Sequence, residues 1–229
     1  MSKIKNNNSI VCVVAHPDDE ALGIGGVLIK HINNGDKVNI IILSKGEDSK
    51  NNKEKNKNRT MHAYDWSKFI GANLYKLFDF PDQKLDTIPK LTIIVELEKI
   101  FKDLNPSVVY THHAGDINHD HQIVSHAVLT ALRPMNKNNV KSEIRTFETP
   151  SSSDQSPYIE PYLFKPNFYV SIENEWKKKI EALKIYEKEL GQLPHPRSLK
   201  AIEALAIKRG AESNYKKAEA IQIIRKFWE

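Results

Sequence analysis

The strongest limit on how this 229-residue chain folds is an alternation: short β-branched runs, each followed by a segment whose apolar residues recur at helical spacing. The first run, Ile10-Val11-Cys12-Val13-Val14, is apolar at every position, so a strand made from it needs cover on both faces. The pattern predicts a strand over 10–15, a helix over 20–34 stopped by Gly35, and a second strand over 38–43, together a β-α-β unit. It continues with a helix over 59–70 stopped by Gly71, a short strand over 73–77, a turn over 80–86, and a helix over 89–104 broken by Asn105-Pro106. A fourth strand over 108–110, a helix over 121–132 and a fifth strand over 140–147 follow. Such alternation implies an α/β fold with a mainly parallel sheet and helices on both faces. Beyond Glu148 the chain is rich in Ser, Thr and Pro as far as Pro166, and the pattern then predicts a strand over 168–172 and helices over 175–190, 198–208 and 216–228. The expectation is a single domain, with a core over about 9–148 and a small C-terminal lobe over about 149–229.

Two polar clusters interrupt this scheme. His16-Pro17-Asp18-Asp19-Glu20 follows the first strand, and Thr111-His112-His113-Ala114-Gly115-Asp116-Ile117-Asn118-His119-Asp120-His121 follows the fourth. Crowding carboxylates at the mouth of a core is unfavourable unless a cation offsets their repulsion and desolvation. In a doubly wound sheet the first and fourth strands are neighbours where the strand order reverses, which brings both clusters to one edge. A catalytic zinc takes three protein ligands and keeps a fourth position open, and His16, Asp19 and His121 supply that set. Asp18 then remains free as a general base, and the chemistry implied is hydrolysis. His119, which shares one side of an extended loop with His121, is the alternative ligand. Gly23-x-Gly25-Gly26 suits close packing of the helix on the sheet better than dinucleotide binding, because Asp18, Asp19 and Glu20 occupy the turn where phosphate would need donors.

Composition narrows the class further. No apolar run approaches the roughly 20 residues of a membrane span and the first eight residues are polar, so a soluble, cytoplasmic protein is expected. The single cysteine, Cys12, falls within the first strand and reads as a buried hydrophobe. Much of the net charge of +5 comes from the Asn/Lys stretch 50–59, read as a solvated loop, and no motif for nucleic acid accompanies it. His31, His62 and His126 read as packing or helix-surface residues.

These residues resemble the LmbE-like (PIG-L) zinc de-N-acetylases. The resemblance rests on Ala15-His16-Pro17-Asp18-Asp19-Glu20, the glycines at 23–26, Gly46-Glu47, and Arg59 at a helix start. It extends through Pro81-Asp82-Gln83-x-Leu85-Asp86, Asn118-x-Asp120-His121 and Pro194-His195-Pro196-Arg197-Ser198. It implies a Rossmann-like fold, Zn²⁺ held by His16, Asp19 and His121, Asp18 as general base, and Asp120 orienting a histidine or ligand. It also implies substrate contacts from Arg59, Asp82 and Arg197, and a trimeric or hexameric assembly. Many members carry histidine where this chain has Asn118, so either His113 or Asn118 is expected to supply the oxyanion or proton donor; His62 replaces an acidic residue after the arginine. The activity implied is removal of the acetyl group from an N-acetylglucosamine-type conjugate, giving acetate and a free amine. Two alternatives are a non-catalytic sugar- or nucleotide-binding module and a two-metal phosphoesterase.

Overall fold

The computed structural model describes residues 7–46, 53–135 and 140–228. Seven strands form one sheet: β1 (Ser9–Val14), β2 (Lys37–Ser44), β3 (Asn73–Phe80), β4 (Val108–His112), β5 (Glu143–Phe147), β6 (Phe168–Ser171) and β7 (Ala218–Arg225). Their order is β3-β2-β1-β4-β5-β7-β6. Pairings from β3 to β5 are parallel; β7 is antiparallel to both of its neighbours. The order reverses between β1 and β4, where Ile10 pairs Val108 and Cys12 pairs Tyr110, so the chain leaves both strands side by side at the same edge.

Alternate residues of β1 enter different cores. Ile10, Cys12 and Val14 pack with α1 (Asp19–Asn33), α2 (Lys53–Ile70), α5 (Trp176–Leu183) and α6 (Leu199–Ala211), through Leu28, Trp66, Leu183 and Ile202 among others. Val11 and Val13 face α3 (Lys90–Leu104) and α4 (His119–Ala131), through Leu97, Phe101, Val124 and Val128. The result is an α/β, Rossmann-like arrangement of three layers, with Cys12 fully buried as a core residue. No helix of the described residues is long and apolar enough to cross a membrane.

Helix α1 is broken at Ile24, whose φ/ψ of −135°/24° is not helical. The backbone groups freed there are met by a buried ion pair. Glu219 of β7 accepts the Gly26 N–H at 2.9 Å and the Val27 N–H at 2.7 Å, while Lys179 of α5 donates to Leu22 O at 3.2 Å and to Glu219 at 2.6 Å. Two glycines make the close approach possible: a Cβ at Gly23 would lie 2.3 Å from the Phe147 ring, and one at Gly26 would lie 2.8 Å from Ile172. The glycine motif is therefore a packing device, as its charge context implied.

Several boundaries differ from the sequence pattern. The segment expected as a helix over 216–228 is strand β7, because β5 and β6 each offer it an unpaired edge and cross-strand pairing outweighs the helix preference of Ala, Glu and Gln. The helix expected over 175–190 ends at Leu183 and continues as a 3-10 segment, Lys184–Glu189, bent at Tyr186. The stretch 50–59, expected as a loop, is already helical from Lys53; residues 50–52 and Glu47 lie outside the described residues. Helix α4 starts at His119, two residues early, because the Asn118 side chain accepts the Asp120 N–H at 3.0 Å and caps it.

Candidate metal and catalytic site

The turn after β1 is held in a conformation that few side chains adopt. Asp18, at the N-cap of α1, has φ 107° and ψ −28°. Pro17 precedes it, the Asp18 N–H is accepted by Glu20 Oε2 at 3.2 Å, and the other Glu20 oxygen accepts the Tyr186 hydroxyl at 2.7 Å. Burial raises the Glu20 carboxyl to about 8, so near neutrality it is largely protonated. Within this turn His16, Asp18 and Asp19 are all buried.

His16, Asp19 and His121 converge. One ligand atom from each lies within 4.8 Å of the others. His16 Nδ1 is 3.4 Å and His121 Nε2 is 3.3 Å from Asp19 Oδ2, yet His121 Nε2, fully buried, makes no hydrogen bond among the described residues. A buried ring nitrogen with no hydrogen bond, aimed at a carboxylate and an imidazole, is what a metal position looks like, and two nitrogens with one oxygen fit zinc. The far nitrogen of each ring is backed by carboxylate: His16 Nε2 by Asp82 at 3.0 Å and Asp120 at 3.1 Å, His121 Nδ1 by Asp116 at 3.3 Å. Such backing fixes tautomer and ring angle in metal-binding histidines. A second grouping, His16 with Asp82 and Asp120, also has the spacing for an ion. Its Asp120 is already committed to the backbone N–H groups of Gln83 at 2.9 Å and Leu85 at 3.1 Å, so the first grouping fits better.

Electrostatics agree with the geometry. Burial opposes charge on Asp19, but the imidazoles of His121 and His112 hold its carboxyl well below the usual range. Burial likewise opposes the His121 imidazolium, and the Asp19 and Asp116 carboxylates overcome it, raising the ring to about 9. Without a metal, the proton on His121 plays the part of the cation.

Two residues that sequence reasoning did not single out complete the site. His112, fully buried at the end of β4, stacks on His121 at 3.8 Å between ring centroids, and its Nε2 accepts the Ala15 N–H at 3.0 Å. Burial, with the neighbouring His121, lowers His112 to about 3, so it is a neutral plate against a charged ring. Asp116 accepts the hydroxyls of Ser152 and Ser153 and the Asn118 N–H as well as backing His121. Despite its burial, the His121 ring and the Ser152 hydroxyl lower it to about 2. Asp116 stands in the second polar cluster of the sequence, two residues before Asn118, but nothing in the chain marks it as a support for His121.

Asp18 Oδ2 receives both Arg197 at 2.9 Å and Arg59 at 3.3 Å, and Arg59 also donates to Gly46 O at 2.9 Å and pairs with Glu189. Gly46 has φ 69°, and a Cβ there would meet the Arg59 guanidinium at 2.4 Å. Asp82, expected at the substrate, is buried on His16. His113 donates its Nε2–H to Tyr162 O, 3.1 Å away, and lies edge-on to Phe164; burial lowers its pKa. His119 is exposed, which leaves His121 as the inward member of that pair. His31 bridges Asp36 and the Tyr110 hydroxyl, a packing role.

Comparison with known proteins gives the lineage. Residues 11–132 match the family described as GlcNAc-PI de-N-acetylase, PIG-L, a stretch that spans more than half of the chain and holds both halves of the site. The chain belongs to the PIG-L family. It is 26% identical over 190 residues to YaiS of Escherichia coli K12, an uncharacterised deacetylase, covering 80% of this chain and 93% of YaiS. The PIG-L fold is shared with the N,N'-diacetylchitobiose deacetylase of Pyrococcus horikoshii, at TM-score 0.77, 18% identity and 98% and 86% coverage of the two chains. It is shared equally with GalB, the 4-carboxy-2-hydroxymuconate hydratase of Pseudomonas putida, at TM-score 0.77, 20% identity and 97% and 98% coverage. A hydratase on the same PIG-L scaffold means that the fold by itself does not choose the reaction.

Proposed function

We propose that this protein is a zinc-dependent hydrolase that removes the acetyl group from an N-acetylglucosamine-type conjugate, releasing acetate and a free amine. The observation that carries the reading is the buried His16, Asp19 and His121 set, with the His121 nitrogen left without a hydrogen bond, beside a buried carboxylate, Asp18, that no ligand role requires. Deacetylase relatives and PIG-L membership support the same class of reaction. When bound, zinc supplies Lewis-acid polarisation at the acetamide.

Each neighbouring side chain has a task. Arg197 and Arg59 hold Asp18 Oδ2, leaving Oδ1 to take a proton from the attacking water and pass it to the departing nitrogen as the C–N bond breaks. Asn118 uses Oδ1 to accept the Asp120 N–H, so its Nδ2 is the donor available to the carbonyl oxygen as negative charge grows there. Asp82 and Asp120 orient His16, and Asp116 orients His121.

The test is metal analysis joined to acetate release. Zinc-loaded protein is expected to hold about one ion per chain, and two ions or none overturn the assignment. Asp18→Asn is expected to keep zinc and fold while losing roughly 10²- to 10⁴-fold in turnover. Near-normal turnover of that variant removes Asp18 from the mechanism.

A further inference from the structure

Helix α2 carries large apolar side chains on two opposite faces, and the fold covers one of them. Ala63, Trp66 and Ile70 enter the core with Ser67 buried beside them, whereas Met61, Tyr64, Asp65, Lys68 and Phe69 are exposed. Met61 and Tyr64 are 63% and 61% exposed, and Phe69 is 44% exposed. At about 100° per residue these five positions fall within one stripe roughly 140° wide, opposite the buried set. A contiguous exposed stripe of this kind marks a contact surface, whereas single exposed apolar residues do not.

The order of residues along the stripe matches itself. Met61, Asp65 and Lys68 run along its middle, with Phe69 on the edge beside Asp65 and Tyr64 on the edge beside Lys68. Asp65 and Lys68 are three residues apart, yet they form no ion pair with each other. A two-fold axis that crosses the helix between positions 66 and 67 sets Asp65 of one copy opposite Lys68 of the other and Tyr64 opposite Phe69, and each contact occurs twice. That reciprocity is what an isologous interface requires. Other occupants match the stripe less well. A lipid surface would bury the Asp65 carboxylate without a counter-charge and repel it with anionic headgroups, and a convex helix face encloses no space for a small molecule. We propose that the exposed face of α2 joins two copies of this chain, helix antiparallel to helix, with Tyr64 packed on Phe69 and Asp65 paired with Lys68 across the axis. The proposal is independent of the function proposed above.

The test is a charge exchange on the full chain, with mass in solution measured by sedimentation equilibrium. Wild-type protein is expected as a dimer or a multiple of one. Asp65→Lys alone sets lysine against lysine at both contacts, and Lys68→Asp alone sets aspartate against aspartate. Each variant is expected to weaken association about tenfold or more, as like charges do across an interface, and to show half the wild-type mass at the concentration where wild type associates. An equimolar mixture of the two variants is expected to regain the wild-type mass with both chains in equal amount, because each contact then pairs a lysine with an aspartate. Recovery in the mixture also shows that neither variant had simply failed to fold. Wild-type protein that is a monomer or an odd-numbered assembly, single variants that keep the wild-type mass, or a mixture that does not regain it overturns the proposal.

Discussion

At the scale of single residues the site is a set of charges held in place by their opposites, and pH acts on it in a direction that the geometry fixes. His121 is raised from 6.5 to about 9 by Asp19 and Asp116. A group with a raised folded-state pKa contributes stability that is fully present below its unfolded value and is lost as pH rises through the folded one. The metal-free protein is therefore expected to melt at progressively lower temperature between pH 6.5 and 9, measured by calorimetry, while zinc-loaded protein loses little over that window because the metal replaces the proton. A flat profile for the metal-free protein would mean that His121 carries no such charge. Asp116→Asn is expected to weaken zinc binding about 10- to 100-fold, as loss of a carboxylate behind a ligand histidine usually does, read by chelator competition. For the donor to the acetamide oxygen, Asn118→Ala is expected to lower turnover about tenfold or more, with His113→Ala milder, since the His113 ring is spent on Tyr162 O and Phe164. The opposite order returns the role to His113.

Secondary-structure elements explain why those residues meet. Each half of the site leaves a buried parallel strand at the reversal of strand order, and the apolar run 10–14 together with the run 108–110 made that legible before any coordinates. The glycines at 23 and 26 were legible as packing residues, though not their partners Phe147 and Ile172, which are over 120 residues distant in the chain. Strand β7 was not legible, because Ala-Glu-Ala-Ile-Gln-Ile-Ile suits a helix locally and only the two open edges beside it decide otherwise. His112 and Asp116 were hidden for a related reason: a stacked ring and a supporting carboxylate have no fixed spacing from the ligand they serve. The broken helix α1 yields its own expectation. Glu219→Ala leaves Lys179 buried without its counter-charge and two backbone donors unmet, and is expected to destabilise the protein by about 3–5 kcal/mol, measured by urea unfolding. Glu219→Ala combined with Lys179→Met removes both charges and should recover part of that loss.

For the whole molecule, the proposed metal ligands all lie within residues 16–121, whereas Ser152 on Asp116, Tyr186 on Glu20 and Arg197 on Asp18 come from later in the chain. A chain ended at Glu148 keeps the ligands but loses the strand that covers β5, the ion pair that mends α1 and the guanidinium on Asp18, and is expected to aggregate rather than bind zinc with a defined stoichiometry, checked by size-exclusion chromatography and metal analysis. The position of β7 also has a temporal meaning. It is the last of the seven described strands in chain order and yet it is not at the border of the sheet; β6, made some fifty residues earlier, has it as its pairing partner. On the ribosome, β6 must wait and β5 must keep a bare flank until β7 has emerged, so a nascent chain halted shortly before Ala218 is expected to remain dependent on chaperones and susceptible to proteases, and one long enough to expose Arg225 to become compact, read by limited proteolysis of stalled chains.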